Sequence, residues 1–563
     1  MHAWHGKMLV VDLSTRRVTT GDIPADTLGT WLGGRGLGVH LMKGFATLDP
    51  FDEQMPLFFA VGPLCGTAAP LSSRMTLVSR SPLTGTIFDS SVGGTFPLKL
   101  KQAGFDAVMI TGKAADPVSL EITEGRAALK EASWLWGKGC IEVNRLLEDS
   151  GEVASIGPAG ERLVRMANIM VGGAGSLGRG GMGALMGAKN LKAIIIRGSR
   201  RPAVADQKLF KKACEDVVRL LRASPVVMGE QGLAEYGTSA LVDVLNRLRM
   251  TPTKNFRQTW YSQAHLYSGP SLKKAFGFKK DACADCPIEC RKLTNCGKPI
   301  PGYDTLSHFG ALNENPDAES LIRANILCNN MGLDTLSTAA TIAAYGEARG
   351  EFLIADDILD MVRKIAYREG AGDKLAEGSK RYCGSIGRPE LSMSVKGLEM
   401  PAYDPRGSCG MALAYGTSSR GACHLRAYPV GQEVLGTPAA ADRFSFDGKA
   451  RLVKIAEDTN AAVDSLSVCK FTLLGASIED CARMLAGATG LPYTGQQLMR
   501  TGAEIIGLER AYNEQNGFGE QDDLLPERFF AEAGTSGEGI DIPPIDKGRF
   551  REELERYYQL RKQ

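Results

Sequence analysis

The hydrophobic pattern of this 563-residue chain changes near residue 204, and that change limits the folds open to it. Before it, short apolar runs bounded by Gly, Pro or Ser predict strands at 8–13, 17–23, 56–61, 75–79, 107–111, 118–123 and 193–197. After it the spacing is helical, with one face formed by Phe210, Ala213, Cys214, Val217, Val218 and Leu221, and another by Ile358, Met361, Val362, Ile365 and Ala366. The pattern predicts an α+β fold. We expect an N-terminal sheet domain (1–203) followed by two mainly helical domains (204–400 and 401–563).

Composition and charge exclude several classes of protein. The 66 basic and 64 acidic residues give a net charge of +2, so the chain has no general attraction to nucleic acid or acidic membranes. No apolar run reaches the roughly 18 residues of a membrane span, and the apolar N-terminal stretch is too short for a signal peptide. Thirteen cysteines, an odd number spread along a long chain, do not suggest a disulfide scaffold. We therefore expect a cytoplasmic protein.

One group of cysteines has the spacing of metal ligands. Cys283, Cys286 and Cys290 form a C-x2-C-x3-C pattern, which lets a short loop wrap around one metal centre. Zinc and iron–sulfur clusters both accept thiolates and both usually need four ligands. The fourth must come from elsewhere; Cys296 is the nearest in sequence and Cys469 lies far downstream. A zinc-stapled loop and an iron–sulfur site are both compatible with this spacing.

Glycine is in excess, at 66 residues, and two segments concentrate it: 33–38 and 172–183. The second contains a G-x-G-x-x-G pattern at Gly173, Gly175 and Gly178. Residues 182–204 contain no Asp or Glu, so a dinucleotide-binding fold is not favoured. Either segment alone is more simply a tight turn. Together, with Arg179 nearby, they favour close backbone approach to a large phosphorylated cofactor.

Histidine is scarce, and this makes a multi-histidine metal site hard to build. Of the six histidines, His424 lies between Arg420 and Arg426. A lone histidine of this kind is more often structural than catalytic. The two arginines are compatible with an anion-lined pocket.

These features together resemble the aldehyde:ferredoxin oxidoreductase family of tungsten-pterin enzymes. The resemblance runs along essentially the whole chain, and its strength lies in the order and spacing of its elements. They are GRGLG at 34–38, SPLTG at 81–85, GRGGMGA at 178–184, KNLKA at 189–193, the cysteine pattern, NNMGLDT at 329–335, YDPRG at 403–407, RGACHLR at 420–426 and DSLSVC at 464–469.

The resemblance implies the cofactors. A tungsten or molybdenum ion would be held by the sulfurs of two pterins above the N-terminal domain, and not by protein side chains. One 4Fe–4S cluster would be bound by Cys283, Cys286, Cys290 and Cys469, which selects Cys469 over Cys296. A magnesium ion would bridge the two pterin phosphates near the carbonyls of Ser91 and Ser176. The other cysteines show no second ligand-like group, so electrons would leave to ferredoxin or an iron–sulfur subunit.

The resemblance also implies a set of pterin and phosphate contacts. They are Arg74, Ser91, Gly93, Gly175, Ser176, Gly178, Arg179, Asn329, Leu333, Asp334, Arg420, Arg426, Asp464, Val468 and Lys470. Two pterin motifs depart from the family pattern: Asn329 replaces an Asp in the first, and Ser467-Val468 replaces Gly-Leu in the second. An Asn offers a donor and an acceptor but no ionic contact. Arg426 stands where the compared family enzyme has Lys.

The same resemblance implies catalytic roles for two residues. His424 would lie beside the metal as a proton acceptor, since an ordinary histidine pKa near 6.5 suits proton transfer at neutral pH. Asp304 takes the place of a family Glu; it is one methylene shorter, so the substrate would sit deeper or a water would bridge. Taken alone, Asp304 could equally open a helix. Arg323 occupies a Glu position of an inter-subunit iron site, which we expect to be missing.

The implied function is oxidation of an aldehyde to a carboxylic acid with water. One alternative is the catalytic subunit of a tungsten-dependent aromatic acyl-CoA reductase of the benzoyl-CoA type. Another is a non-catalytic zinc or iron–sulfur binding protein. The resemblance suggests a homodimer or a part of a hetero-oligomer, and it leaves open the choice of metal, substrate and electron carrier.

Overall fold

A computed structural model describes residues 2–562, and its N-terminal part contains two six-stranded sheets. The first comprises β1 (Lys7–Asp12), β2 (Arg17–Asp22), β3 (Leu57–Val61), β4 (Arg74–Arg80), β5 (Ile87–Gly93) and β6 (Ala107–Thr111). The second comprises β7 (Val118–Thr123), β8 (Arg126–Glu131), β9 (Glu152–Ser155), β10 (Ile169–Val171), β11 (Gly175–Leu177) and β12 (Leu191–Ile196). All seven predicted strands are present. The sequence analysis missed the other five strands, β5, β8, β9, β10 and β11. In β5 the polar Asp89, Ser90 and Ser91 interrupt the apolar run.

The second sheet repeats the topology of the first. Strand β6 lies parallel to β1 and antiparallel to β3, and β12 has the same relation to β7 and β9. The spatial orders are β2-β1-β6-β3-β4-β5 and, read from its other edge, β8-β7-β12-β9-β10-β11. The sequence shows no repeat of fixed period. The duplication is therefore visible only in the pairing of the strands.

The edge strands of the two sheets, β5 and β11, meet. A Cβ on Gly175 would lie 2.9 Å from a methyl carbon of Val92 and 3.2 Å from the carbonyl oxygen of Gly93. Glycine at 175 thus permits this close approach. The contact brings the predicted residues Ser91, Gly93, Gly175 and Ser176 to one seam.

Helices accompany the sheets and form most of the remainder. Those within the sheet region are α1 (Ala25–Trp31), α2 (Gly34–Met42), α3 (Phe96–Gln102), α4 (Cys140–Leu147), α5 (Pro158–Glu161) and α6 (Met182–Ala188). The following ones are α7 (Gln207–Ala223), α8 (Pro225–Met228), α9 (Leu233–Tyr236), α10 (Leu241–Arg247), α11 (Gly269–Phe276), α12 (Tyr303–Phe309), α13 (Ala318–Met331), α14 (Thr335–Arg349), α15 (Ala355–Tyr367), α16 (Ala371–Leu375), α17 (Ser379–Ser385), α18 (Cys409–Thr417), α19 (Val430–Glu433), α20 (Lys449–Leu466), α21 (Ile478–Thr489), α22 (Gly495–Glu514), α23 (Arg528–Ala531) and α24 (Lys547–Lys562). Two small hairpins interrupt them: β13 (Lys279–Asp281) with β14 (Arg291–Leu293), and β15 (Ser394–Val395) with β16 (Leu398–Glu399).

The predicted α+β class, sheet-rich first and helical afterwards, is confirmed. The five apolar positions predicted on α15 are all buried. On α7 the buried positions are Phe210, Ala213, Val217 and Leu221, whereas Cys214 and Val218 stay partly exposed. Within residues 2–562, none of the helices combines the length and apolar character needed to cross a bilayer. The domain boundaries at 203/204 and 400/401 remain predictions.

The first glycine-rich segment is not a loop. It forms α2, which is buried against α20 and the first sheet. A Cβ on Gly34 would lie 2.4 Å from the carbonyl oxygen of Asp464, and one on Gly38 would lie 2.4 Å from a methyl carbon of Val78. These glycines serve the packing of a helix, so the alternative of a tight turn does not hold for this segment. The favoured interpretation, close backbone approach to a phosphorylated cofactor, remains a prediction.

Candidate functional site

Two helix ends define the centre of the candidate site. Helix α13 ends at Gly332 with φ +74°, and α20 ends at Ser467 with φ +63°. Both residues adopt the left-handed conformation that commonly terminates helices. Buried Leu333 and Val468 follow at equivalent positions. The two predicted motifs therefore share one backbone geometry although their sequences differ.

The first helix end is held by a helix cap and carries one contact between opposite charges. Asp334 caps α14, since its two carboxylate oxygens each accept an N–H bond of 3.2 Å, from Leu336 and Ser337. The same carboxylate lies 3.6 Å from the Nε of Arg179. Asn329 is half-buried, and its backbone carbonyl accepts the N–H of Gly332 at 3.3 Å. Among the described residues its side chain makes no hydrogen bond.

The second helix end is surrounded by buried charged side chains. Asp464 forms an ion pair with Lys470, and its other oxygen lies 3.4 Å from Arg35. Arg35 is fully buried and bonds Glu509 twice, at 2.7 and 2.9 Å. Burial lowers the pKa of Lys470, and Asp464 opposes that shift. The Oγ of Ser467 accepts the N–H of Gly62 at 2.6 Å, a contact that glycine could not make.

Asp89, on β5, anchors the arginines of the site, and the sequence did not single it out. Its carboxylate is ion-paired with Arg426 and lies 3.7 Å from Arg420 and 3.8 Å from Arg35. Burial raises the pKa of Asp89, but the three guanidinium groups outweigh it and hold this pKa far below its usual range. The one sequence signal that could have marked Asp89 is an acidic residue within a buried strand, and this strand, β5, was itself not predicted.

Two arginines keep a donor free for a ligand. The Nε atoms of Arg420 and Arg426 are buried and have no hydrogen-bond partner within residues 2–562. The Nε of Arg179 also makes no hydrogen bond there, but it lies 3.6 Å from the carboxylate of Asp334. Buried polar groups are nearly always bonded, so a cluster of orphaned cationic donors indicates an anionic ligand. Pterin phosphates fit this chemistry. Nearby, Arg74 reaches the carbonyl of Ser91 at 3.4 Å, on the seam of the two sheets.

His424 and Asp304 face each other beside these arginines. The Nε2 of His424 lies 3.6 Å from the Oδ2 of Asp304, and the other oxygen of Asp304 accepts the N–H of Ala402 at 3.2 Å. Burial lowers the pKa of His424 well below 6.5, and the charges of Arg179 and Arg420 act in the same direction. Burial raises the pKa of Asp304. Both shifts favour the neutral forms of this pair.

Two tyrosines enclose the pair, and neither had been assigned a role from the sequence. The ring centre of Tyr403 lies 5.3 Å from that of His424, and the ring centre of Tyr428 lies 6.1 Å from it. Tyr428 has φ +54°, a left-handed conformation that bulky side chains rarely adopt. Such strain is concentrated at functional sites. Tyr403 lies within the recognised Tyr-Asp-Pro-Arg-Gly segment, whereas no local pattern marked Tyr428.

Helix α12 is tied to the segment that carries Tyr403. His308, one helical turn after Asp304, is fully buried, and its ring nitrogens lie 2.8 Å from the carbonyl of Asp304 and 3.0 Å from that of Met400. The hydroxyl of Tyr303 donates to the carbonyl of Ala402 at 2.5 Å. These bonds fix Asp304 and the ring of Tyr403 relative to each other.

The cysteine loop joins β13 to β14 and lies beside the sheet seam. A Cβ on Gly93 would lie 2.7 Å from the sulfur of Cys283, so glycine at 93 lets this cysteine approach the seam closely. Asp285 and Glu289 have positive φ angles, which curl the loop. Cys283, Cys286, Cys290 and Cys469 are all half-buried. Cys296, by contrast, is exposed and contacts Thr294 at 3.1 Å.

The four half-buried cysteines act on one another electrostatically. Burial raises the pKa of Cys290 to about 12, and negative charge on Cys469, Cys286 and Cys283 adds to the shift. Burial lowers the pKa of Arg74, but negative charge on Cys469, Cys283, Asp464 and Cys290 holds it above its ordinary value. Within residues 2–562, no three His, Cys, Asp or Glu side chains converge as tightly as a single metal ion needs. A four-iron cluster holds its thiolates farther apart than a single ion.

Comparison with protein families identifies the class. Residues 8–198 match the model described as "Aldehyde ferredoxin oxidoreductase, N-terminal domain", and residues 212–562 match "Aldehyde ferredoxin oxidoreductase, domains 2 & 3". The chain belongs to the aldehyde ferredoxin oxidoreductase family, as the resemblance predicted. It is an oxidoreductase of this family, which implies a tungsten or molybdenum pterin and an iron–sulfur centre.

Individual relatives agree with this assignment. The chain is 38% identical to the tungsten-containing aldehyde ferredoxin oxidoreductase of Pyrococcus furiosus, over 100% of this chain and 96% of the relative. It is 26% identical to the "Aliphatic sulfonate oxidoreductase, WOR-like subunit" of the same organism, over 91% of this chain and 86% of that one. A solved structure, the active site complex BamBC of benzoyl coenzyme A reductase with 1,5-dienoyl-CoA, has the same fold: TM-score 0.85, 22% identity, covering 100% of this chain and 94% of that one.

Proposed function

We propose that the protein oxidises an aldehyde to a carboxylic acid with water. The observation that carries the proposal is the buried pair of His424 and Asp304, 3.6 Å apart, beside arginines with orphaned donors. The balanced reaction converts an aldehyde and water into a carboxylic acid, two protons and two electrons. The electrons leave through a 4Fe–4S cluster to ferredoxin or an iron–sulfur partner.

The residues present suit the cofactors of this reaction. Arginine donors at 74, 179, 420 and 426 would hold the pterin phosphates and pterin edges. The seam of β5 and β11 supplies backbone groups near Ser91, Gly93, Gly175, Ser176 and Gly178, which would hold a magnesium ion beside the cofactor phosphates. The helix ends supply Asn329, Leu333, Asp334, Asp464, Val468 and Lys470. When bound, the metal–pterin group would supply a two-electron acceptor and the cluster a one-electron relay.

The protein side chains handle the protons. His424 is held neutral by burial and by the neighbouring Arg179, Arg420 and Lys470, so its imidazole is available as a base. It accepts a proton as water attacks the carbonyl carbon of the aldehyde. Asp304, whose pKa is raised, is the group with which His424 can exchange a proton across the 3.6 Å gap. The gap exceeds a hydrogen bond, as is common before substrate tightens a catalytic pair.

The aromatic walls determine where the substrate lies. The rings of Tyr403 and Tyr428 flank the ring of His424, with ring centres 5.3 and 6.1 Å from it. Their faces suit an aldehyde with an apolar or aromatic body. The carbonyl group would then point toward the His424–Asp304 pair.

The substitution His424→Asn tests the proposal. No metal ligand is removed, so metal and iron content should stay normal, and turnover per bound tungsten or molybdenum should fall about 10²–10⁴-fold, the usual contribution of acid–base catalysis. His265→Asn is the matched control, because His265 is exposed and only touches the carbonyl of Ser262. Unchanged turnover per metal in His424→Asn would remove this histidine from the mechanism.

The alternatives give different results in the same preparation. Anaerobic turnover of an aldehyde panel with a viologen dye supports aldehyde oxidation. Inactivity on aldehydes together with reaction of an aromatic acyl-CoA thioester would support the acyl-CoA reductase. Zinc alone, without tungsten, molybdenum or iron, would indicate a non-catalytic binding protein.

A further inference from the structure

Cys423, next to His424 in the site, is bonded unlike two other buried cysteines of the chain. Its Sγ receives two N–H donors, the Nη2 of Arg420 at 2.8 Å and the backbone N–H of Leu425 at 3.3 Å. At Cys65 and Cys140 the sulfur instead faces a backbone carbonyl oxygen, which can only accept, so those thiols donate. Cys423 is therefore placed as an acceptor, whereas the other two are donors.

The contact between Cys423 and Arg420 has the geometry of a charge-assisted bond. It is shorter than the contact of the same sulfur with the neutral amide of Leu425, and bonds that involve ionised groups are the shorter ones. Cys423 is only 1% exposed, so water does not compete for its sulfur. Buried charges are costly unless they are paired, and a thiolate would pair with the guanidinium. The geometry therefore favours the thiolate form of Cys423.

The charged groups that face Cys423 are basic. Arg420 and Arg426 lie on its own segment, and Arg179 follows β11 on the other side. Burial raises the pKa of the Cys423 thiol, but the charges of Arg420 and Arg426 outweigh burial and hold this pKa below its ordinary value. Tyr415 of α18 is a further titratable neighbour, and burial holds its pKa well above the ordinary value, so it stays neutral.

Arg420 is held at two of its nitrogens and free at the third. Its Nη1 donates to the backbone carbonyl of Asp89 and lies 3.7 Å from the carboxylate of the same residue. Its Nη2 donates to Cys423, and its Nε is buried without a partner within residues 2–562. A guanidinium is a rigid plane, so fixing Nη1 and Nη2 also fixes the direction of the Nε N–H.

The same sulfur shapes the backbone around His424. The N–H of Leu425 donates to the side chain of Cys423, two residues earlier, as it would to the side chain of an Asp or Asn that begins a turn. His424 is the central residue of this turn. One sulfur atom thus contacts both the ligand-facing arginine and the turn that carries the histidine.

We propose that Cys423 is a thiolate that acts as a positioning residue: its charge holds Arg420 so that the free Nε faces an anionic ligand, and its turn orients His424. The inference rests on the proposed function for the identity of that ligand, a phosphorylated metal–pterin cofactor. The thiolate also adds a negative charge among the arginines of the site, where Asp89 is the other buried anion.

Infrared spectroscopy tests the charge of Cys423. A thiol has an S–H stretching band and a thiolate has none, so in the cofactor-loaded protein Cys423→Ser should remove no such band at about pH 8, below the ordinary thiol value of 9.0. The matched control is Cys481→Ser, because Cys481 is fully buried and burial raises its pKa to about 12. The control should remove one band. Loss of a band in both variants would overturn the proposal.

Cofactor retention tests the positioning role without turnover. Cys423→Ser should lose bound tungsten or molybdenum about tenfold faster during dialysis than the unmodified protein, since a hydrogen bond to a charged group contributes roughly that factor. Cys423→Asp restores a negative charge that can also accept the N–H two residues on, so it should lose the metal more slowly than Cys423→Ser. Iron content should stay normal in both variants, because the proposed cluster ligands are unchanged.

The rates of metal loss decide the positioning role. Equal rates in Cys423→Ser and Cys423→Asp would show that charge at this position does not hold the cofactor, and would overturn the proposal. A rate in Cys423→Ser no higher than in Cys481→Ser would overturn it as well. An unchanged S–H band in Cys423→Ser together with rescue by Cys423→Asp supports it. These results would stand even if the protein oxidised no aldehyde, a finding that would overturn only the proposed function.

Discussion

The ends of α13 and α20 have the same backbone and different chemistry. Each helix stops at a left-handed residue, followed by a buried apolar side chain. The α13 end leads to Asp334, which serves as a helix cap, whereas the α20 end leads to Cys469, a proposed cluster ligand. The α20 end is surrounded by a network of several buried charges, through Asp464, whereas the α13 end has one such contact, between Asp334 and Arg179.

This difference indicates that the two helix ends have different roles within one site. The α13 end, with neutral Asn329 and a capping Asp334, positions its proposed pterin mainly through backbone geometry. The α20 end connects its proposed pterin to the cluster and holds several charges out of water. Buried charges are costly unless they are paired, so the α20 end depends on distant partners in a way that the α13 end does not.

The largest effect should come from removing the central cation of that network. Arg35→Met leaves Glu509, Asp464 and Asp89 with fewer partners, and breaking a buried pair typically costs about 3–5 kcal/mol. Urea denaturation should show this loss of unfolding free energy, while Asn329→Ala at the α13 end should cost under about 1 kcal/mol. Comparable losses in both variants would mean that the two ends do not differ in their dependence on charge.

The second test concerns the cysteine after the α20 end. Cys469→Ser should abolish or strongly reduce the iron content and the visible absorption of the cluster, because one of four thiolates is lost. Cys296→Ser should retain both, since Cys296 is exposed and bonded to Thr294. Equal retention of iron in the two variants would remove Cys469 from the ligand set. About eight irons per unmodified chain would contradict a single cluster.

A smaller effect is expected at the left-handed residues themselves. Gly332→Ala should destabilise by about 1–2 kcal/mol from the left-handed strain alone, and more because a Cβ would lie 2.7 Å from the amide nitrogen of Gly157. Ser467→Gly relieves the same kind of strain but loses the bond to Gly62, so its net effect should stay within about 1 kcal/mol. Thermal unfolding of both variants measures the contrast. A destabilisation by Ser467→Gly as large as that by Gly332→Ala would show that the hydroxyl is indispensable.

The smallest expected effect is a pH dependence of stability that arises from His424 and Asp304. The pKa of His424 is lowered in the folded protein, so its contribution to stability is full above about pH 6.5 and is lost as the pH falls toward the folded value. The unmodified protein should therefore lose unfolding free energy between pH 7 and pH 5 more steeply than His424→Asn, by about 1–2 kcal/mol. Asp304, with a raised pKa, acts oppositely: its contribution is full below its ordinary value of 3.8 and falls as the pH rises. Parallel pH profiles of the two proteins would show that His424 keeps an ordinary pKa.

Much of the fold could be predicted from the sequence because it is encoded locally. The spacing on α15 and most of that on α7 predicted buried helix faces, and the seven apolar runs predicted strands. The cysteine spacing likewise marked a loop that can wrap a metal centre. Sequence resemblance added the ordered motifs that carry the family assignment. Each of these signals depends either on a few neighbouring residues or on the order of motifs along the chain.

The tertiary structure decided what depends on distant partners. Arg35 meets Glu509 across 474 positions, and Asp89 meets Arg426 across 337, so no local pattern reveals either pair. The glycines at 34–38 were interpreted as backbone that approaches a cofactor, with a tight turn as the alternative. They form a helix that packs against α20, and the sequence could not show this because the neighbour lies more than 400 residues away. The duplicated sheet is equally invisible in sequence, because strand pairing tolerates many side chains. The sequence by itself determined many of the helices and strands and the residues capable of catalysis or ligand binding. The long-range packing decided which of these residues face one another.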